Sequence, residues 1–163
     1  DVHLRLSEAL SLGFSATYLD PFYDSFIGAN VGGLPVDLSG TTPGGISELT
    51  LSLVASYGFK VGKINGYFQT DYRYEKEVDI QDGGDLSPTN ILLESTRSRT
   101  REVGLLNASI GFEKNGWELR IWGRNLTNDE YLVTWFPSVA QTGSFSAYPN
   151  QPRTWGASIR KSF

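Results

Sequence analysis

The side chains that most often carry out catalysis are scarce in this sequence. It contains a single histidine, His3, and neither cysteine nor methionine. Acyl transfer, thiolate chemistry and zinc catalysis depend on clusters of nucleophiles, bases and metal ligands, and the sequence gives such clusters little support. We therefore expect a protein that is not an enzyme and that has no cofactor.

Three aspartates raise the question of a calcium site. Asp79, Asp82 and Asp85 recur at every third position of a glycine-containing segment, and oxygen ligands are those that Ca²⁺ prefers. Their spacing matches no calcium-binding loop, so a solvated acidic loop is the favoured interpretation. We predict no metal site.

Three arginines are candidates for contact with a ligand. Arg97, Arg99 and Arg101 share one face if their segment is extended, and this face could attract an anionic ligand or the phosphates of lipopolysaccharide. The alternative, which we favour, is that they pair with Glu94, with Glu102 or with the acidic loop.

A second candidate for ligand contact is the aromatic segment 135–148. It combines large rings with Ser, Thr, Gly and Gln, a mixture suited to stacking on a flat ligand or a sugar. The rings could equally fold over their neighbours, and we favour this second interpretation. The four rings are Trp135, Phe136, Phe145 and Tyr148.

The elements that position these residues are predicted by a strict alternation of apolar and polar residues. This period of two predicts β-strands with one apolar and one polar face. Residues Val2–Leu6 are expected to be the tail of a further strand. The six segments that alternate clearly are 10–19, 49–59, 64–74, 106–112, 117–124 and 154–163.

The connections between these segments alternate between short and long. Lys60–Lys63 and Lys114–Gly116 are tight turns, whereas Asp20–Ser47, Glu75–Glu102 and Thr127–Pro152 are long and polar. Three long structureless loops are uncommon in one compact soluble domain. An outer-membrane barrel is expected to have short turns at one end and long loops at the other.

Aromatic residues follow the same division. If the short turns are periplasmic, a mostly aromatic set lies at that membrane boundary and a second set lies at the opposite one, as in the aromatic girdles of membrane barrels. An antiparallel sandwich with aromatics in its core is the alternative, but it does not explain the polar second face or the unequal connections. The two sets are Phe59, Ile64, Phe112, Trp117 and Phe163, and Tyr18, Tyr72, Tyr74 and Trp155.

Charge and hydropathy narrow the choice further. A net charge of −4 argues against a nucleic-acid partner, and no apolar stretch is long enough for a transmembrane helix. Mean hydropathy of −0.25 is compatible with a barrel, because only every second strand residue meets lipid.

The number of strands predicts that the chain belongs to a larger assembly. Six or seven strands cannot close a membrane barrel, and an open sheet edge in lipid leaves backbone groups unpaired. The chain also begins inside a patterned segment. We therefore expect more strands, either from an N-terminal part of the same protein or from other chains.

Two C-terminal motifs resemble those of TonB-dependent receptors. Asn125–Tyr131 is similar to the family signature N-L-T-(D/N)-(E/D)-x-Y near the top of the penultimate strand, and Pro152–Phe163 is similar to the family ending with P-R-T and a terminal Phe. Weaker similarities lie at Ala16–Tyr23 and at Asp37–Gly40 with Pro43. Together the motifs span most of the chain.

The resemblance implies a fold and a function. The fold is an all-β, antiparallel transmembrane β-barrel segment, with residues 1–163 forming the last six to seven strands of a larger, 22-stranded barrel whose N-terminal strands, plug domain and TonB box are absent from the chain. The function is TonB-dependent uptake of a scarce solute, such as an iron–siderophore complex, cobalamin or a carbohydrate. The location is the outer membrane of a Gram-negative bacterium, with the C-terminus on the periplasmic side.

The implied partners follow from that location. They are outer-membrane lipid and lipopolysaccharide, the barrel-assembly machinery, a small-molecule substrate, and TonB with ExbB and ExbD through the missing N-terminal part. The last strand resembles a barrel-assembly signal composed of Trp155, Ala157, Ile159 and Phe163. Lys161 departs from that pattern, and its long stem could reach the membrane interface.

Two rival functions remain open. A passive porin or small outer-membrane barrel has the same alternation but no plug, and the Asn125–Tyr131 signature argues against it. A surface adhesin or enzyme barrel requires reactive groups converging at its rim, and we find no such cluster. Within the signature, we expect Asn125 and Thr127 to cap the strand end through side-chain to backbone hydrogen bonds.

Overall fold

The computed structural model describes residues 1–31, 34–83, 100–137, 140–141 and 144–162. In these ranges the chain forms eleven β-strands. They are β1 (Val2–Arg5), β2 (Leu10–Tyr18), β3 (Ala29–Val31), β4 (Leu34–Val36), β5 (Leu49–Val61), β6 (Ile64–Asp79), β7 (Thr100–Lys114), β8 (Trp117–Arg124), β9 (Leu132–Pro137), β10 (Phe145–Pro149) and β11 (Thr154–Lys161).

Seven of these strands form one antiparallel sheet in the order β1-β2-β5-β6-β7-β8-β11. We call it the main sheet. Each strand pairs with the main-sheet strand that precedes it in sequence, as in a meander. The prediction of an all-β, antiparallel fold is therefore confirmed, and all seven predicted strands are present.

The strand ends differ from those predicted from alternation. Strand β6 continues to Asp79 and β7 starts at Thr100, so both are longer than segments 64–74 and 106–112. The charged run Glu75–Lys76–Glu77 interrupts the alternation in the sequence. In the structure a bulge between Glu75 and Val78 absorbs the irregularity, since an extra residue can be accommodated without ending the pairing.

The short connections are tight hairpin turns with the residues that such turns require. Asn115 and Gly116 have φ values of 52° and 76°, which match a type I′ turn, and Asn-Gly is the preferred pair there. Gly62 has a φ of 61° and is followed by Lys63, which matches a type II′ turn with glycine first. Both turns lie at the same end of the main sheet.

The expectation that the long connections lack structure was wrong. The first contains the β3–β4 hairpin and the third contains the β9–β10 hairpin. Each hairpin contributes to a small core, because Leu38 is fully buried beside Ala29 and Val31, and Trp135 is buried beside Ile80. Polar composition concealed these few buried side chains.

One face of the main sheet is almost entirely apolar. The ladder aligns Ala16 with Leu51 and Leu51 with Tyr74, and it also aligns Phe68 with Ile110. Because side chains alternate along a strand, the apolar sets predicted for separate strands meet on a single face. We call it the outward face, and the polar one the inward face.

The outward face is not covered within the described residues. Leu12 is 36% exposed, Phe68 37% and Ile159 72%, and Leu51 and Ile110 are half-buried. The accessible surface is 11131 Å², whereas a compact protein of 18.0 kDa exposes about 8000 Å². None of these five apolar side chains lies in a closed hydrophobic interior.

Aromatic rings lie over glycines of the next strand at three places in the main sheet. On the outward face, the ring of Phe59 covers Gly66 and meets the ring of Phe112 edge-on, with centroids 5.9 Å apart. A Cβ at Gly66 would be 2.3 Å from the Phe59 ring. Glycine is therefore needed there for two aromatic side chains to meet across an intervening strand.

Candidate functional site

Inward-facing side chains of the main sheet line a concave groove of about 920 Å³. Its lining extends from His3 on β1 to Arg120 on β8, and includes Ser56 and Gln69 from the strands between them. Strands β1 and β8 are five places apart in the sheet. Because both line one space, the sheet is curved with its polar face inward.

The groove carries an excess of positive charge although the chain as a whole is acidic. Its charged lining consists of Arg5, Arg120 and Arg124 against Glu8 and Asp71. Among the described residues, none of the three arginines forms an ion pair. The arginines can therefore attract anionic groups that enter the groove.

Two hydrogen bonds between inward-facing side chains connect strands of the main sheet. Tyr67 on β6 lies over Gly111 on β7, and its hydroxyl donates to Glu118 on β8 at 2.6 Å. One side chain thus spans three strands. Asn107 Nδ2 on β7 donates to the Asp71 carboxylate on β6 at 2.7 Å, so this acidic side chain of the groove lining is hydrogen-bonded.

Asn125 organises the segment that leaves β8. Asn125 is 4% exposed and has a φ of 49°. Its side-chain Nδ2 donates to the backbone carbonyls of Asp129 at 2.9 Å and Gln151 at 3.0 Å. Its Oδ1 accepts a hydrogen bond from the backbone N–H of Asp129 at 2.9 Å. The side chain therefore joins both ends of the third long connection.

Other side chains of the same signature attach this connection to β7. Thr127 Oγ1 donates to the Gly104 carbonyl at 2.7 Å, and the Gly104 amide donates to the Asp129 carboxylate at 2.6 Å. The expectation of side-chain to backbone capping by Asn125 and Thr127 is confirmed.

Arg101 is the only member of the predicted arginine ladder that lies in the described residues, because Arg97 and Arg99 fall outside them. Its guanidinium donates to the carbonyls of Val133 at 3.0 Å and Gly45 at 3.1 Å. These carbonyls belong to the third and first long connections. Arg101 therefore joins two connections, which neither interpretation of the ladder anticipated.

The aromatic segment is divided between the two faces of the β9–β10 hairpin. Trp135 is 3% exposed and meets Phe145 edge-on at 5.5 Å, so these rings pack inside. Phe136 and Tyr148 are on the other face, 38% and 61% exposed, with centroids 5.8 Å apart. Of the four candidate rings, this pair is the accessible one.

A hydroxyl–carboxylate contact joins the first and second long connections. Tyr23 Oη donates to the Asp82 carboxylate, 3.0 Å from Oδ1, and the Gly44 amide donates to the same oxygen at 2.7 Å. Burial, the hydrogen bond and the negative charge of Asp82 raise the pKa of the Tyr23 phenol above its ordinary value of 10.0. We call this contact the Tyr23 latch.

The acidic residues do not assemble into a metal site in the described part of the chain. Asp82 holds the Tyr23 latch, and Asp85 lies outside the described residues. Groups of three or more His, Cys, Asp or Glu side chains that could hold a metal ion are not found among the residues described.

The predicted assembly signal lies on the outward face. Trp155 is 81% exposed and Ile159 72%, and Ala157 is exposed as well, while Phe163 lies outside the described residues. Lys161 Nζ lies 5.1 Å from the centre of the Trp117 ring and donates to the Asn115 carbonyl at 2.8 Å.

Several residues that connect the site were not predicted from the sequence. Tyr67, Asn107 and Gln81, whose side chain donates to the Trp135 carbonyl, lie in strands or connections far apart in sequence. Strand register brings Tyr67 and Asn107 to their partners, and packing between connections brings Gln81 to Trp135. A tyrosine and a glycine in adjacent strands carry no signal until Tyr67 is known to face Gly111.

Comparisons with known proteins do not identify a family. No protein-family model matches the chain, and no curated protein matches it. Across the described residues, no helix has the length and apolar character needed to cross a membrane.

Proposed function

We propose that this chain is the C-terminal part of the barrel of a TonB-dependent receptor, which takes up a scarce solute across the outer membrane. The observation that carries the proposal is the division of the main sheet into an exposed apolar face and a polar, concave one. Such a sheet suits a barrel wall with lipid outside and water inside. The signature around Asn125 and the ending Pro152–Lys161 add the family resemblance.

The arrangement of connections supports the same proposal. The tight turns after β5 and β7 lie at one end, and all three long connections lie at the other, where they pack against one another through Arg101 and the Tyr23 latch. A receptor needs an ordered external surface around its entrance. In this proposal the long connections form that surface.

The outer edges of the main sheet support a larger barrel. Strands β1 and β11 have a main-sheet partner on one side only among the described residues. In lipid each unpaired backbone group costs several kcal/mol, so both edges need partner strands. A 22-stranded barrel supplies them, and its plug would face the groove.

Site-directed spin labelling tests the proposed orientation of the sheet. These 163 residues contain no cysteine, so a single cysteine introduced here can be labelled specifically in the complete protein in bilayers once any cysteines elsewhere in it are replaced. A label at Leu53 should be accessible to oxygen in lipid. The matched label at Ser52, its neighbour on the inward face, should be accessible to a water-soluble nickel complex. A water-accessible label at Leu53 would contradict the proposal.

A passive porin is the second candidate, because the polar groove also suits a water-filled channel. Conductance of the purified complete protein in planar bilayers distinguishes the two. A receptor closed by a plug should give no steady channel current until the plug is displaced with denaturant, whereas a porin should conduct from the start. Steady open-channel current in the native protein would favour the porin.

A further inference from the structure

The outward face of the main sheet ends, near the short turns, in three residues on adjacent strands. Lys114 on β7 and Lys161 on β11 both face Trp117 on β8 across the ladder. Two lysines therefore flank one tryptophan in the ladder. All three side chains lie on a face whose other residues in this region are apolar.

Lys161 is held in place by two contacts. Its Nζ donates to the Asn115 carbonyl at 2.8 Å and lies 5.1 Å from the centre of the Trp117 ring. An ammonium group has three hydrogens, and the carbonyl takes one of them. The others can reach an acceptor outside the protein.

Negative charge is kept away from this surface. Glu113 and Glu118 face each other on the inward side, and the Tyr67 hydroxyl donates to Glu118 at 2.6 Å. Every second residue of these strands faces outward, and none of these residues is Asp or Glu in the ranges 108–114, 117–123 and 155–161. The two lysines therefore have no acidic partner from these strands.

Resting on the proposed lipid-facing orientation, we propose that Lys114, Trp117 and Lys161 bind the phosphate of an anionic phospholipid. The lysines supply positive charge, and the 54% exposed Trp117 supplies an indole N–H donor. Long basic side chains reach the headgroup level from a lipid-facing position, and tryptophan is enriched there. The site selects phospholipids by headgroup charge.

Native mass spectrometry of the complete protein tests the site. The protein is released from nanodiscs of phosphatidylglycerol and phosphatidylcholine in equal amounts, and the ratio of the retained lipids is measured. K114Q/K161Q should lower the ratio by about fivefold for each lysine, from the attraction that one lysine near an anionic surface provides. W117F keeps an aromatic ring at this position but loses the indole N–H, so it should have a smaller effect.

K60Q/K63Q is the matched control, because it removes the same charge at the same end of the sheet. Lys60 has inward parity and Lys63 lies in the turn, so this variant should keep the wild-type ratio. An equal loss in the control would overturn the site. An unchanged ratio in K114Q/K161Q would overturn it as well.

Further arms separate this proposal from its alternatives. Heat-modifiable migration in gels reports folding of each variant, and the single variants K114Q and K161Q test the site if the double variant does not fold. Displacement of the retained phosphatidylglycerol by an equal amount of lipopolysaccharide would overturn the phospholipid assignment. A lipid-exposed label at Leu53 with no headgroup selectivity overturns the site alone, whereas a water-exposed label overturns the proposed function.

Discussion

At the scale of single residues, Asn125 shows why one side chain type is required. The left-handed backbone there favours Asn among the non-glycine residues, and the side chain must both donate and accept. Aspartate would present an acceptor toward the Asp129 and Gln151 carbonyls, and alanine would present neither group. The Gln151 carbonyl then loses its partner, whereas the Asp129 carbonyl keeps the hydrogen bond from Asn150 Nδ2 at 2.8 Å.

We predict that N125A destabilises the protein by about 3 kcal/mol, because several hydrogen bonds are lost and both the Gln151 carbonyl and the Asp129 backbone N–H lose their side-chain partner. Urea unfolding of the complete protein in micelles, followed by tryptophan fluorescence, measures the loss. N128A is the matched control. Asn128 has a similar φ of 55° but is exposed, so its substitution should cost about 1 kcal/mol or less. Equal losses in both variants would contradict the assigned role of Asn125.

At the scale of strands, rings that lie over glycines hold the main sheet together across more than one pair of strands. Tyr67 covers Gly111 and reaches Glu118, and Trp122 covers Gly156. Each ring fills the space that a side chain at the glycine would occupy. Backbone hydrogen bonds connect only adjacent strands, so a longer link needs a side chain. On the inward face, the Tyr67 side chain therefore links β6 to β8 across β7.

We predict that G111A costs about 2 kcal/mol of stability. The new Cβ would lie 2.2 Å from Cζ of the Tyr67 ring, so the ring must move and release Glu118. Unfolding in urea measures the cost. G58A is the control, because the closest atom to its Cβ is the Ala9 carbonyl oxygen at 4.0 Å.

A double-mutant cycle separates the ring from other effects of G111A. In a Y67S background the clash is absent, so G111A should cost much less, and the difference is the coupling energy. If G111A costs the same in both backgrounds, the ring is not the cause.

At the scale of the whole molecule, the three long connections behave as one packed layer at one end of the main sheet. Arg101 joins the first and third connections, and the Tyr23 latch joins the first and second. The buried cores at Leu38 and Trp135 lie in this layer, not between the strands of the main sheet. Of the buried apolar side chains in the described residues, only Val78 and Val103 belong to strands of the main sheet.

The Tyr23 latch should open at alkaline pH. Because the raised pKa of Tyr23 means that folding holds its proton, the latch contributes its full stability below the ordinary tyrosine pKa and loses it as pH rises through the raised one. A spin label at Ser25 should become mobile in that range. In Y23F, label mobility should not change there, and a wild-type label unaffected by pH would contradict the prediction.

The main sheet could be predicted from the sequence because alternation encodes which face of a strand is buried or lipid-facing. The ends of β6 and β7 could not, since the charged run after Tyr74 is stabilised by pairing across a bulge. Of the candidate site, the capping by Asn125 and Thr127 was predictable from local chemistry. The roles of Arg101, Tyr23 and Trp135 depend on contacts between connections, and these carry no local sequence signal.

The meander order of the main sheet has a consequence for how such a protein can change over evolutionary time. Backbone pairing in the main sheet connects only strands that follow one another within it in sequence, so duplication or deletion of a whole hairpin can keep the pairing order of the other strands. In the proposed barrel, the circumference would then change in steps of two strands. A receptor of the proposed kind would thereby gain a wider interior while the strands it already has keep their pairing.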